Sequence, residues 1–283
     1  MKFARAELVE GAMVLYRGCV WIAKGLVHPP RRVVALPRYT YDGRWRKLTI
    51  PERIELLEEC SRWWSYVQMR IPQIPRDRAL PIEPRLRDQK LQCVFKLVRD
   101  ELSEFTVFLT GSSALGMEEA RDLDFVIVCR TIECSRKAYS VLQRVGEPMH
   151  GLVYSEWLAK HSREIDFHSY AALKERSVLL GTIAGVPYSA RIVCLELSPA
   201  RVLHHKFVED VIEIRKPVSP YTTPCLYIAE SKRFGRIVVE SHRILFAELP
   251  IGTRIEAVFR IEYRSNGVRY AVPDHSNSIS VTT

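Results

Sequence analysis

The sequence predicts an α+β protein. An α/β core of alternating strands and helices lies between a small N-terminal β/α segment and a C-terminal antiparallel β sheet or barrel. Three observations predict it. Between about residues 86 and 210, apolar runs of strand length alternate with stretches whose apolar residues recur at helical spacing. Residues 225–283 instead follow a two-residue alternation interrupted by turn signals, of which Ser265-Asn266-Gly267 is the strongest. Residues 9–38 carry short β-branched runs separated by Arg17-Gly18, Lys24-Gly25 and His28-Pro29-Pro30.

Taken in order, strands over 12–16, 19–23 and 32–36 form a β unit that needs a partner to be stable. Pro51 and Glu52 open a helix expected to reach about residue 70, with Ile54, Leu57, Cys60, Trp64 and Val67 on one stripe. Pro72, Pro75, Pro81 and Pro84 then make 71–85 an extended connection and mark a boundary. A helix over 86–103 buries Leu91, Val94, Phe95, Val98 and Leu102 and leads into a strand over 105–109. A turn at Gly111-Ser112, a short helix over 113–120 and a second strand opening at Asp122 follow. Helices are expected over 133–145 and 155–161. In 163–170, alternation puts Ile165 and Phe167 on one face of a strand and Glu164, Asp166 and His168 on the other. A helix over 171–180, a strand over 188–195 and a helix over 199–210 complete the core, before Pro217, Pro220 and Pro224 mark a second break. The expected parts are 1–85, 86–216 and 217–283.

With 283 residues and 47% hydrophobic side chains the chain can bury a sizeable core. It has no run of about 18 apolar residues, and its first residues lack the apolar centre of a secretion signal, so a cytoplasmic protein without membrane partners is expected. Seven cysteines, scattered and without a Cys-x-x-Cys pair, argue against a zinc site or a disulfide framework. The net charge of +9 is a modest bias toward polyanions. Arg31, Arg32, Arg38, Arg44, Arg46 and Lys47 crowd one segment with Tyr39, Tyr41 and Trp45 among them. That mixture can contact phosphates and stack on bases, which makes RNA a candidate partner of the N-terminal region. A solvated, Arg-rich surface would have the same composition.

The chemistry concentrates in residues 105–128. Gly111 allows a sharp turn after the first strand, and backbone N–H groups at the start of the short helix would face a phosphate. Asp122 and Asp124 are two apart on a strand, so both carboxylates project to one face while Leu123 and Phe125 project to the other. Hard oxygen donors of this kind suit Mg²⁺ or Mn²⁺.

This order of strand, Gly111-Ser112, short helix and Asp122-Leu123-Asp124 resembles the DNA polymerase β-like nucleotidyltransferase superfamily. The whole chain is similar to archaeal predicted nucleotidyltransferase-domain proteins of unknown substrate, which share a Tyr-x-x-Pro-Cys sequence, here Tyr221-Thr222-Thr223-Pro224-Cys225. The resemblance implies a mixed sheet with helices over about 86–210 and transfer of a nucleoside monophosphate from an NTP to a hydroxyl, with release of pyrophosphate. It also implies a metal site of Asp122, Asp124 and a third carboxylate from a later strand. Asp166 matches that third position, and Glu164 offers the same chemistry from the same face. Gly111 and Ser112 would contact the triphosphate. RNA is the expected acceptor on charge grounds; a protein hydroxyl, as in toxin-antitoxin nucleotidyltransferases, and a non-catalytic nucleotide- or RNA-binding module are the alternatives. His204-His205 lacks the spacing of a metalloprotease site and is assigned no metal.

Overall fold

A computed structural model describes residues 8–149 and 151–282; the opening residues 1–7, read above for a secretion signal, lie outside them. The chain divides into two compact units, Met1–Ile127 and Val128–Thr283. It is mixed α and β, with several sheets and six α-helices among the described residues.

The first unit is built on a seven-stranded antiparallel sheet. Strands β1 (Met13–Tyr16) and β2 (Cys19–Ala23) pair through Tyr16 and Cys19, and Arg17 and Gly18 between them both have positive φ, as a two-residue hairpin requires. Strand β3 (Arg32–Tyr41) pairs with β2 and with the short β4 (Trp45–Lys47). Helix α1 (Ile50–Cys60) follows, with Glu52 accepting the Thr49 backbone N–H at 2.7 Å as a capping box. The helix expected to reach residue 70 ends at Cys60. The chain reverses there into β5 (Ser61–Trp64) and β6 (Met69–Pro75), and β6 also pairs with β3. Trp63 and Trp64 favour the pleated surface, and Gln68 takes the positive φ of the turn between the two strands. Prolines 72 and 75 thus sit within a strand, where their fixed φ is compatible with extended backbone. Strand β7 (Leu80–Pro81) adds to the far side of β1. The inner side chains Val14, Trp21, Ala23, Val33, Ala35 and Ile74 are fully buried and form the core of this sheet.

Helix α2 (Gln89–Glu101) starts at Asp88, whose carboxylate accepts the Leu91 N–H at 2.9 Å, and it buries Leu91, Val94 and Val98 as its periodicity predicts. Strand β8 (Thr106–Thr110), the single-turn α3 (Gly111–Ala114) and β9 (Leu123–Cys129) follow, and the division between the units falls inside β9.

In the second unit, α4 (Ile132–Val145) is capped by Thr131 and followed by β10 (Glu147–Pro148), α5 (Val153–Lys160) and α6 (Phe167–Lys174). Strands β11 (Leu180–Ile183) and β12 (Val186–Cys194) form an antiparallel hairpin, with β10 paired to β11.

The rest of the second unit is a barrel. Strand β13 (Val202–Ser219) occupies the stretch where a helix over 199–210 was expected, and it runs through Pro217, so the β domain opens before the expected boundary. Asp210, Ile212 and Ile214 are buried with more exposed residues between them, which is the period of a strand. It is joined by β14 (Cys225–Ser231), β15 (Gly235–Ser241), β16 (Arg254–Arg264), β17 (Arg269–Val272) and β18 (Ile279–Thr282). Pairing runs β13-β14-β15-β17-β16 and returns to β13, closing a five-stranded ring, with β18 added to β16. Only β15 and β17 are parallel within the ring. Counted from β13, the order is first, second, third, fifth, fourth and back to first, the connectivity of an OB-type Greek-key barrel.

Candidate functional site

The turn after β8 is shaped by Gly111, whose φ of +75° is left-handed. A Cβ there would run into the carboxylate of Asp124, with the Asp124 Cγ only 2.9 Å away. The missing side chain is therefore what lets the turn and the second aspartate share one place. The helix expected over 113–120 is the single turn α3, too short to carry an appreciable macrodipole. Any cradle for a phosphate consequently rests on the backbone around Gly111 and Ser112 rather than on a helix terminus. Ser112 and Ser113 are both buried, and the Ser113 hydroxyl finds no partner.

Leu123 and Phe125 are fully buried, whereas Asp122 and Asp124 on the alternate positions are half-exposed, as the two-residue period predicts, although β9 opens at Leu123 and Asp122 stands in the bend just before it. Tyr39 on β3 registers both carboxylates. Its phenol is pushed up to about 12, first by burial, then by the negative charge of Asp124, and to a smaller extent by Asp122; Arg38 opposes the shift. Tyr39 therefore remains a protonated donor throughout the neutral range. In the sequence it was visible only as one aromatic in a basic run. On the other side of the turn, the Arg85 N–H donates to the Ala114 carbonyl at 2.7 Å, and a Cβ on Gly116 would meet the Arg85 carbonyl and the Arg87 side chain. This brings a segment bearing two exposed guanidinium groups against α3. Arg121 is engaged by the backbone, donating to the Glu118 carbonyl at 2.6 Å and to the Ala120 carbonyl at 3.1 Å.

Asp166 does not stand on a strand, which corrects the expectation for 163–170. It is the N-cap of α6, exposed, with its carboxylate accepting the Ser169 N–H at 3.0 Å, and that bonding holds it below the usual carboxylate range. The physical reason lies in its neighbours. The Glu164 carbonyl accepts the Ile279 N–H at 2.7 Å, and the Ser169 hydroxyl donates to the Val281 carbonyl at 3.0 Å, so the segment lies along β18 and turns straight into a helix. Glu164 itself is paired with Arg243 and bonded to His161 Nδ1 at 2.6 Å. His168 is exposed within α6, and His204 and His205 stand on β13.

The basic N-terminal segment is partly neutralised. Arg46 bonds Asp42 at 2.6 Å and Glu52 at 2.8 Å, while Tyr41 and Trp45 pack edge to face. On the barrel, cations and rings alternate. His204 stacks on Tyr263 at 4.1 Å, Arg269 lies 5.1 Å from the Tyr263 ring and 5.3 Å from Phe234, and Lys206 lies 5.0 Å from Phe234.

All seven cysteines are free, and Cys93 alone is exposed. Among the described residues no three His, Cys, Asp or Glu side chains converge as a metal site; the carboxylates nearest the Gly111 turn are those of Asp124 and, two positions earlier, Asp122, and both act on Tyr39. That set fits Mg²⁺ or Mn²⁺, which is commonly held by one or two carboxylates and completed by water and substrate phosphates. No helix among the described residues is long and apolar enough to cross a membrane. No protein-family model matches the sequence, and comparison with curated proteins and with solved structures gives no match.

Proposed function

We propose that the chain is a metal-dependent nucleotidyltransferase that moves a nucleoside monophosphate from an NTP to a hydroxyl acceptor, with RNA as the acceptor class. The observation that carries this reading is the interlock of Gly111 with Asp124, with Asp122 two positions earlier and the Tyr39 phenol under the charge of both carboxylates. In the reaction, the acceptor hydroxyl gives up its proton to water, its oxygen bonds to the α-phosphorus, the bond from that phosphorus to the bridging oxygen breaks, and pyrophosphate leaves. Asp122 and Asp124 would hold the cation, and Gly111 would let the triphosphate approach the backbone. When bound, Mg²⁺ or Mn²⁺ supplies charge neutralisation and acidifies the attacking hydroxyl. Tyr39, kept protonated, can donate a hydrogen bond beside the carboxylates but cannot serve as a base at neutral pH.

The barrel supports an RNA acceptor. Its connectivity is one that binds oligonucleotides on other chains, and its ring-and-cation surface offers π-faces for bases beside positive charge for phosphates. A second reading, binding of nucleotide or RNA without turnover, is favoured by the finding that no three metal-ligating side chains converge among the described residues.

One experiment separates them. The full chain is incubated with each labelled NTP, Mg²⁺ or Mn²⁺ and total RNA, alongside Asp122→Asn with Asp124→Asn. Label entering RNA with the wild type and not with the variant is expected. Tight nucleotide binding without incorporation would replace the enzymatic reading with the binding one.

A further inference from the structure

The first unit contains a pocket of about 200 Å³ away from the Gly111 turn. It lies where the β1–β2 hairpin, the start of β3, the end of α1, the start of β5 and the 3-10 turn after β6 meet, and each contributes a residue. The charged residues lining it are Arg17, Arg32, Arg62, Arg78 and Glu59, with the buried Cys60 beside them. Four guanidinium groups thus face one carboxylate. Glu59 is already taken by Arg17. Arg62 donates through Nη1 to the carbonyls of Glu59 at 2.7 Å and Ser61 at 2.9 Å, which caps the end of α1 and uses only part of its five-donor fork. The side chains of Arg32 and Arg78 make no hydrogen bond or ion pair among the described residues, while the Arg32 backbone N–H donates to the Pro29 carbonyl at 3.1 Å.

We propose that this pocket is a binding site for a phosphoryl group, separate from the Gly111 site and independent of the nucleotidyl-transfer reading. Like charges gathered in a concavity repel one another, and an anion removes that cost. Guanidinium forks match the oxygen geometry of phosphate, and several forks converging on one tetrahedral group give both charge and direction. The volume is smaller than the roughly 300–1,000 Å³ of a site for a drug-sized organic molecule, and the lining is charged rather than apolar, which fits a phosphate and not a hydrophobic ligand. Cys60 is no rival explanation. Burial pushes its thiol up, against the pull of Arg17, Arg62 and Arg32, so it is not an activated nucleophile. The phosphoryl group has two possible sources, a free phosphate or the phosphorylated end of an oligonucleotide.

The test is calorimetric titration of the full chain with three probes: inorganic phosphate, a 5′-phosphorylated oligoribonucleotide and its 5′-hydroxyl counterpart. The titrations are repeated on Arg32→Gln with Arg78→Gln, and on Arg99→Gln with Arg163→Gln, which removes the same charge at exposed positions elsewhere. Binding of phosphate or of the 5′-phosphorylated strand, weakened at least tenfold in the pocket variant and less than threefold in the control, is the expected result. Tighter binding of free phosphate identifies the first source, and preference for the phosphorylated strand over the hydroxyl strand identifies the second. Absence of binding by both phosphate probes, or equal weakening in the two variants, overturns the proposal. If the double variant melts early, Arg78→Gln alone, at an exposed position in the 3-10 turn, carries the same comparison.

Discussion

Replacing Gly111 by alanine tests the interlock at the candidate site directly. The new Cβ would stand 2.9 Å from the Asp124 Cγ and 3.0 Å from its Cβ, against an ordinary carbon contact of about 3.5–4.0 Å. Asp124 must therefore move by at least about half an ångström, and the left-handed φ of +75° adds a cost of about 1–2 kcal/mol for any residue with a Cβ. For a unit of this size the backbone cost by itself corresponds to a fall of about 2–8 °C in Tm. Positional losses of this kind weigh far more on chemistry: a misplacement of about 1 Å lowers rates about 100-fold. Single-turnover incorporation of labelled NMP, measured beside a thermal melt, should show a 10- to 100-fold loss of rate with the Tm change above. A variant within threefold of wild type would refute the claim that the glycine is there to admit Asp124.

Asp166→Ala should cost about 1 kcal/mol through loss of the α6 cap, while Asp166→Asn, an equally good cap, should keep both stability and incorporation; a 100-fold loss of rate in the folded Asn variant would restore this residue as a metal ligand. Arg264 donates to Glu240 at 2.8 Å and to Glu262 at 2.7 Å and is 4% exposed, so Arg264→Met leaves two buried carboxylates short of a partner and should cost about 3–5 kcal/mol in urea unfolding. Burial lowers the pKa of His28, whose Nδ1 accepts the Val34 N–H at 3.2 Å and whose Nε2 faces the Leu8 carbonyl at 2.5 Å. As pH falls below the ordinary histidine value of about 6.5, the unfolded chain takes up a proton that the folded chain refuses. Stability must then fall, by up to about 1.4 kcal/mol per pH unit, until the lowered folded pKa is reached. His28→Gln should reduce that slope in unfolding curves between pH 6.5 and 5.

Much of the local structure was legible because its signals were redundant. The Arg17-Gly18 hairpin, the α2 stripe and the alternation around Asp122 and Asp124 each agree in pattern, turn chemistry and length. Where two periods fitted one stretch, the sequence misled. Ile54, Leu57 and Cys60 continue at helical spacing into Trp64 and Val67, yet Ile54 is 49% exposed and the chain has already turned into β5. In β13 the alternation is plain only from Asp210 onward, because His204 and Lys206 lie before it at positions exposed to solvent. Asp166 was misread for a similar reason: four alternating residues look like a strand whether they pair with one or cap a helix. The influence of both carboxylates on Tyr39 had no signal at all, since it depends on residues about 80 apart in sequence that share no strand pairing.

The segment that removed Asp166 from the strand reading has a consequence for how the molecule behaves in a crowded solution. A ring of strands has no free margin, but β18 is attached outside the ring and its outer side would be open to recruit another chain. Ile279 bonds Glu164 instead, Ile165 bridges Ile279, and Ser169 covers the Val281 carbonyl. Asp166 fixes the turn between these contacts. Its carboxylate is thereby a guard against edge-to-edge aggregation, and loosening it should show as self-association on heating before it shows as a change in the barrel itself.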